Sequence, residues 1–296
     1  MIRLAVRVRC EDAEVVLAQL LELAPSGVEE GDTGDGVVEY AVYGSPGELP
    51  QLPDLRAAAG DALVEVTTIE LPDDWGERWK RFHRPVLIES PDAHGEGQAP
   101  QRTVPGLHVR PPWEPPSHRA GVEEIVIDPG QAFGTGAHAT TRMCLELLLK
   151  LASEGAQRGA LLDVGTGSGV LAIAAARLGY GPVMGLDNEL ESVDAARENA
   201  KVNGVELQAR SFDLRRERLP AVAGAAAPTM LANLLKPLLL DLARSIELAP
   251  EDLIAGGLLT EQVDEVVGAF KECLSMHERQ RRVSGEWAAV WLCRGE

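Results

Sequence analysis

Cysteine is scarce in this sequence. Four are spread over 296 residues, Cys10, Cys144, Cys273 and Cys293, and no two form a CxxC pair. A zinc knuckle and a redox dithiol are therefore not expected, and the thiols read as reduced. The six histidines show no HxxxH spacing, so no structural metal is expected either. Long apolar runs are also missing. Nothing approaches the ~18 uninterrupted residues of a membrane helix. Arg3, Arg7 and Arg9 break up the opening MIRLAVRVRC, which denies it a signal-peptide core. These absences point to a cytoplasmic protein with no membrane partner. No internal repeat is visible. Basic residues are outnumbered, 28 Lys and Arg against 46 Asp and Glu, for a net charge of −18. Such a chain repels phosphate backbones and anionic membranes, so direct nucleic-acid binding is not expected and a basic macromolecule is the better partner. What is present is ordinary for a globular protein: 45% hydrophobic and 25% charged residues, which excludes disorder and collagen-like structure. The length suggests about two domains with room for a sizeable core.

Residues 1–70 read as strand, helix, strand, strand, helix, strand. Residues 3–9 alternate with strand period, and 11–23 carry a helical apolar stripe ended by Pro25-Ser26-Gly27. Strands follow at 28–30 and 37–43, a short helix at 54–59 and a strand at 62–69. That order is the split βαβ, ferredoxin-like α+β arrangement. The module holds four arginines, no lysine and fourteen acidic residues, so −10 of the net charge lies in the first quarter of the chain. It contains no catalytic constellation and reads as a substrate-recognition domain. Residues 71–120 have the proline-rich composition of a linker. Trp75, Trp79, Phe82 and Trp113 imply some ordered structure there. A short helix is expected near 75–82 and a disordered tip near 91–103.

From about 121 onward strands alternate with helices, the pattern of a doubly wound α/β sheet. Strands are expected at 161–164, 183–186, 205–210, 229–232 and 252–255. A terminal antiparallel hairpin (277–283 and 287–292) turns at Ser284-Gly285.

The main chemical signal is Leu161-Leu162-Asp163-Val164-Gly165-Thr166-Gly167-Ser168-Gly169. A strand ends in a glycine-rich turn that opens a helix, and such turns admit a ligand against the backbone and helix N–H groups. The nicotinamide fingerprint is GxGxxG, whereas here the glycines fall as GxGxG with Val170 in the last position. Asp163 before the turn suits a cationic ligand group better than a pyrophosphate. S-adenosylmethionine, with an ammonium, a sulfonium and no phosphate, fits that chemistry. Asp187 ends the second strand, where this fold sets a carboxylate against ribose hydroxyls. Asp213 follows the third strand as a candidate for adenine contact, or as a solvated loop residue. Asn233 follows the fourth strand, where its amide can accept hydrogen bonds from a substrate amine. Upstream, Asp128-Pro129-Gly130-Gln131-Ala132-Phe133-Gly134-Thr135-Gly136-Ala137-His138-Ala139-Thr140-Thr141 reads as a glycine-rich loop entering a helix at 140–151. Phe133 is a candidate apolar wall for the cofactor. Thr140 or Thr141 is a candidate helix cap. His138 is a candidate catalytic residue or a capping histidine.

FGTGAHATT upstream of LLDVGTGSG, followed by GLDNE and ANLL, resembles the PrmA family, the methyltransferases of large-subunit ribosomal protein L-11. The strings VRPPWEPP, WGERWKRFHRPVLI and GGLLTEQVDEV look like that family too. The resemblance is strong over the linker and second half and weak over residues 1–70. It implies a Rossmann-like, seven-stranded methyltransferase domain at 121–296 behind the ferredoxin-like domain. It implies S-adenosyl-L-methionine held at Thr141, Gly165, Asp187 and Asn233, with Gly167, Gly169, Asp163, Phe133, Thr140 and Asp213 as further cofactor candidates. Asn233 and His138 are the catalytic candidates. The implied reaction is methylation of lysine side-chain and N-terminal amines of a basic ribosomal protein by a monomeric enzyme. Ala139 stands where the family usually has Pro, Leu234 where it has Ile, and AGAAAPTM lacks the usual acidic residue before the fourth strand.

Other readings remain open at this point. One is a methyltransferase of the same fold acting on another amine. A second is a catalytically silent assembly protein, against which Gly165, Gly167, Gly169, Asp187 and Asn233 argue. Asn233-Leu234-Leu235-Lys236 does not match the Asn-Pro-Pro-Tyr/Phe of glutamine and adenine amino-methyltransferases. A dinucleotide-dependent oxidoreductase is the most remote. For the leading reading, a lysine amine with a pKa of ~10.4 must lose its proton, and desolvation in the site serves that end. Positioning is expected to dominate, without a strong general base.

Overall fold

In a computed structural model of the chain, the alternation at residues 3–9 becomes strand β1 (Ile2–Arg9), with Leu4, Val6 and Val8 turned into a core. The structure describes residues 2–13, 16–17, 20, 28–32, 36–44, 49–50, 52–70, 84–89, 104–128, 138–154, 158–220 and 228–295. The chain divides into two units, Met1–Phe82 and His83–Glu296.

In the first unit β1 pairs antiparallel with β3 (Val37–Gly44) and β4 (Leu63–Glu70), and β2 (Glu29–Asp32) pairs with β3. The sheet order is β2-β3-β1-β4, the ferredoxin-like order expected from the element sequence. Helical residues Val16 and Leu20, and Leu55 of helix α1 (Leu52–Ala59), pack on Leu4, Val6 and Val8. The buried Tyr40 hydroxyl donates to the Ala13 carbonyl at 3.0 Å. On the opposite face Arg7 of β1 lies across from Glu39 on one side and Glu65 on the other. It pairs with them at 2.7 and 2.8 Å, while Arg3 reaches Glu39 at 2.5 Å.

The second unit is built on a seven-stranded sheet. Strands β8 (Leu161–Val164), β9 (Val183–Asp187), β10 (Gln208–Ser211), β11 (Thr229–Asn233) and β12 (Asp252–Leu259) run parallel. β14 (Trp287–Arg294) enters antiparallel between β12 and β13 (Met276–Ser284). The order is β10-β9-β8-β11-β12-β14-β13. Every residue of β8 is buried, as a strand covered on both faces requires. One core lies under α2 (Ala139–Ser153) and α3 (Val170–Arg177). The other lies under α5 (Lys236–Ser245) and α6 (Val263–Leu274). Helix α4 (Leu190–Val202) follows β9. No described helix is long and apolar enough to cross a membrane.

Two strands differ from their expected bounds by three residues or more at one end. The third begins at Gln208 rather than 205, because the Val205 N–H closes the end of α4 on the Ala200 carbonyl at 3.1 Å, after Gly204 at φ +63°. The fifth runs on to Leu259, because Gly256-Gly257 form a bulge against β14 that carries the strand past its expected end. The proline-rich stretch contributes strands as well. β5 (Val86–Ile88), β6 (Gly106–Arg110) and β7 (Val122–Val126) make a three-stranded sheet, and Ile88, Leu107 and Val109 join the first core. The helix expected near 75–82 and the tip at 91–103 lie outside the described residues.

Candidate active site

β8 and β11 are sequence-distant neighbours at the centre of the sheet, so the connections from their carboxyl ends diverge and leave a crevice. The turn after β8 fills one side of it. Gly165, Gly167 and Gly169 all have positive φ. At Gly169 (φ +84°) a Cβ would come within 3.1 Å of the Ala196 Cβ and 3.2 Å of its Cα. Only glycine lets the turn seat this close to α4. The Gly167 N–H donates to Asp187 Oδ2 at 2.9 Å and the Glu189 N–H to Asp187 Oδ1 at 3.1 Å. Asp187 at the tip of β9 therefore fixes the turn and the entry to α4 together.

The other side of the crevice is the end of β11. The Asn233 amide donates to Thr141 Oγ1 at 3.1 Å, and its carbonyl oxygen is buried with no hydrogen-bond partner among the described residues. The bulge makes room for this edge. A Cβ on Gly256 would stand 2.5 Å from Cys144 Sγ and 2.8 Å from Asn233 Oδ1, and a Cβ on Gly257 (φ +79°) would strike the Leu234 carbonyl. His138 caps α2, its Nδ1 accepting from the Thr140 N–H at 3.3 Å. Its ring meets Trp287 edge-on with centroids 4.9 Å apart.

These groups enclose a cavity of about 500 Å³ lined by His138, Thr140, Thr141, Gly165, Gly167, Asp187 and Asn233 among others. An adjoining cavity of about 340 Å³ shares Gly165 and Asp187 and reaches Asp213. Asp163 and Gly169 are on the wall of neither. Asp163 lies behind the turn, fully buried, with Oδ2 accepting from the Thr166 hydroxyl at 2.8 Å and Oδ1 without a side-chain hydrogen-bond partner among the described residues. Burial pushes its carboxyl up to about 7; the Thr166 hydrogen bond opposes the rise and the Asp187 charge adds to it. Burial also lowers the His138 imidazole below its ordinary value, which favours the neutral ring. Phe133 lies outside the described residues. Among the described residues no group of three or more His, Cys, Asp and Glu could hold a metal ion.

The profile of the ribosomal protein L-11 methyltransferase family, PrmA, matches residues 92–294. The chain belongs to this family. A ribosomal protein L-11 methyltransferase of Geobacter sulfurreducens is 35% identical over 278 residues, 89% of this chain and 83% of that protein. One from Symbiobacterium thermophilum is 35% identical over 221 residues, 74% of this chain and 65% of that protein. The crystal structure of a ribosomal protein L11 methylase from Lactobacillus delbrueckii subsp. bulgaricus aligns with a TM-score of 0.55 at 30% identity, covering 64% of this chain and 95% of that one.

As a PrmA-family methyltransferase the chain uses S-adenosylmethionine, and the residues present fit that cofactor. Among the described residues no Lys or Arg lines the larger cavity, whereas Asp187 and Glu189 do. Those two carboxylates favour a cationic ligand over a pyrophosphate, and membership of the family removes the dinucleotide oxidoreductase from consideration. A Cβ on Gly165 (φ +74°) would strike the Leu234 side chain, so glycine there lets Leu234 pack against the turn.

Several lining residues of this PrmA-family site were not singled out from the sequence. Trp287 reaches the cavity because β14 runs antiparallel and brings its first residue back to the carboxyl ends of the other strands. Leu235 and Leu238 line it from the start of α5, and Ser192 from α4. Gly256-Gly257 interrupting an apolar strand was the readable signal for the bulge.

Proposed function

We propose that this chain transfers methyl groups from S-adenosylmethionine to lysine side-chain and N-terminal amines of ribosomal protein L-11. Asn233 carries the proposal. Its nitrogen is committed to Thr141 while its oxygen is a spare, buried acceptor beside the cavity. An amine has N–H bonds to offer such an acceptor.

When bound, S-adenosylmethionine supplies a methyl group on a positively charged sulfur that leaves as a neutral thioether. The chain's residues act on the nucleophile. Removal from water toward Leu235, Leu238 and Trp287 lowers the amine's pKa from ~10.4. Asn233 then orients the neutral amine, and Thr141 fixes the Asn233 amide plane. So held, the amine lone pair would face the methyl group, and the ammonium product would release its proton to solvent. Asp187 and the glycine turn hold the cofactor, with Asp213 at the far cavity. His138 caps α2 and walls the site beside Trp287. No strong base is needed, because alignment supplies most of the rate.

The −10 charge within residues 1–70 suits capture of a basic ribosomal protein, and we assign recognition to that unit. We place the reaction in the cytoplasm with a monomeric enzyme. The test is incubation of the chain with labelled S-adenosylmethionine and large-subunit ribosomal proteins, followed by mass mapping. Label on lysine and terminal amines of L-11 is expected. Label confined to another protein would overturn the substrate, and cofactor binding without any transfer would favour an assembly protein. An Asn233→Ala variant that keeps full turnover would sink the role given to Asn233.

A further inference from the structure

Helix α4 buries two asparagines one turn apart, Asn199 and Asn203. Both face the exit of β7, the edge strand of the three-stranded sheet. The Val126 N–H donates to Asn203 Oδ1 at 2.8 Å, and Asn203 Nδ2 donates to the Val126 carbonyl at 2.7 Å. Two residues on, the Asp128 N–H donates to Asn199 Oδ1 at 3.0 Å, and Asn199 Nδ2 lies 3.5 Å from the Asp128 carbonyl. A carboxamide offers a donor and an acceptor side by side, as a peptide group does. The pair therefore completes the strand edge as a neighbouring strand would.

The two asparagines differ in one respect. Asn203 Nδ2 also donates to a carbonyl of its own helix, that of Asn199, at 2.8 Å. Asn199 Nδ2 instead donates to the Ser168 carbonyl, inside the glycine turn, at 2.9 Å. The close seating of Gly169 on Ala196, one turn earlier in the same helix, makes that reach possible. Asn199 thus bonds at once to Asp128 and to the turn whose Gly167 N–H meets Asp187.

We propose that Asn199 is a positioning residue for the cofactor, locking the glycine turn to the chain at Asp128 so that occupancy of the cavity is felt at both. The proposal rests on the reading of the cavity as the S-adenosylmethionine site. Asn203 is its internal control, since it supports the same strand edge without touching the turn.

The experiment is calorimetric titration of S-adenosylmethionine into the full chain and into Asn199→Asp, Asn199→Ala and Asn203→Ala variants, with thermal melts of each. The Asp variant keeps an acceptor for the Asp128 amide and sets a carboxylate against the Ser168 carbonyl. We expect it to weaken cofactor binding about tenfold, and Asn203→Ala to lower the melting temperature while changing affinity less than about twofold. Equal affinities for the Asn199 variants and the parent overturn the proposal, as does an equal loss in Asn203→Ala. Should the Asn199 variants not fold, amide exchange in the parent chain decides. Cofactor should slow exchange at both Gly167 and Asp128, and protection at Gly167 alone overturns the proposal. A parent chain that does not bind S-adenosylmethionine at all fails the underlying reading instead.

Discussion

On the four-stranded sheet Arg7 sits between Glu39 and Glu65 at a solvent-accessible face, with its charge matched on both sides. On the seven-stranded sheet Asp163 is sealed from water, and among the described residues one of its oxygens and the carbonyl oxygen of Asn233 at the end of β11 have no partner. The first sheet uses its polar residues on one another. The second leaves polar capacity unused in the place where it is most costly to leave it. At the crevice itself the unspent group is the Asn233 oxygen, and it marks the cavity where the charge of the first unit does not. The charged module has the greater share of net charge and no reactive constellation.

The strongest way to break this contrast is Asn233→Ala. Steady-state kinetics should show turnover reduced about 10²–10³-fold, the scale for removing one preorganised polar group, with melting temperature little changed. The next is Gly257→Ala. A side chain there must tolerate φ +79° and push against the Leu234 backbone. Denaturant unfolding should show a loss of about 1–3 kcal/mol, and the shift of Leu234 should carry into cofactor affinity.

Asp163→Asn sharpens the contrast through pH. The folded carboxyl titrates near 7, above its unfolded value of about 4. The native state thus holds a proton that the unfolded state has released. Its contribution is fully present below pH ~4 and is lost as pH rises through about 7. The stability difference between parent and variant should fall across that window by at most about 1.4 kcal/mol per pH unit, read from unfolding curves in the cofactor-free protein. The smallest effect belongs to the first sheet. Arg3 and Arg7 hold the Glu39 carboxyl below its ordinary range, so its support is present above pH ~4 and lost as pH falls through the lowered folded value. Glu39→Gln should cost less than about 1 kcal/mol at neutral pH, less still in high salt, and should leave cofactor binding untouched.

Much of this was legible in the sequence, for identifiable reasons. Four of the five parallel strands are mainly apolar, β10 being the exception, so their number and alternation with helices could be read directly. Of the turn and carboxylates singled out in the sequence, Gly165, Gly167, Asp187 and Asp213 line the two cavities. Long-range geometry was not legible. Asp163 sits next to the turn in sequence, yet its side chain points behind it, because β8 is covered on both faces and alternate side chains enter opposite cores. Trp287 enters the site only through the antiparallel insertion of β14, which no local pattern encodes. No local pattern singles out Asn199 and Asn203. Their partners lie 71 and 77 residues away.

The insertion of β14 between β12 and β13 also imposes an order in time. Ribosomes make residues 2–70 first, and domains generally fold as units in order of synthesis. The acidic sheet can therefore close on a nascent chain while the seven-stranded sheet still lacks its sixth position. The wall contributed by Trp287 arrives only when residues 287–294 emerge and slot into a gap flanked on both sides. A growing chain therefore gains the last wall of its cavity in one late step.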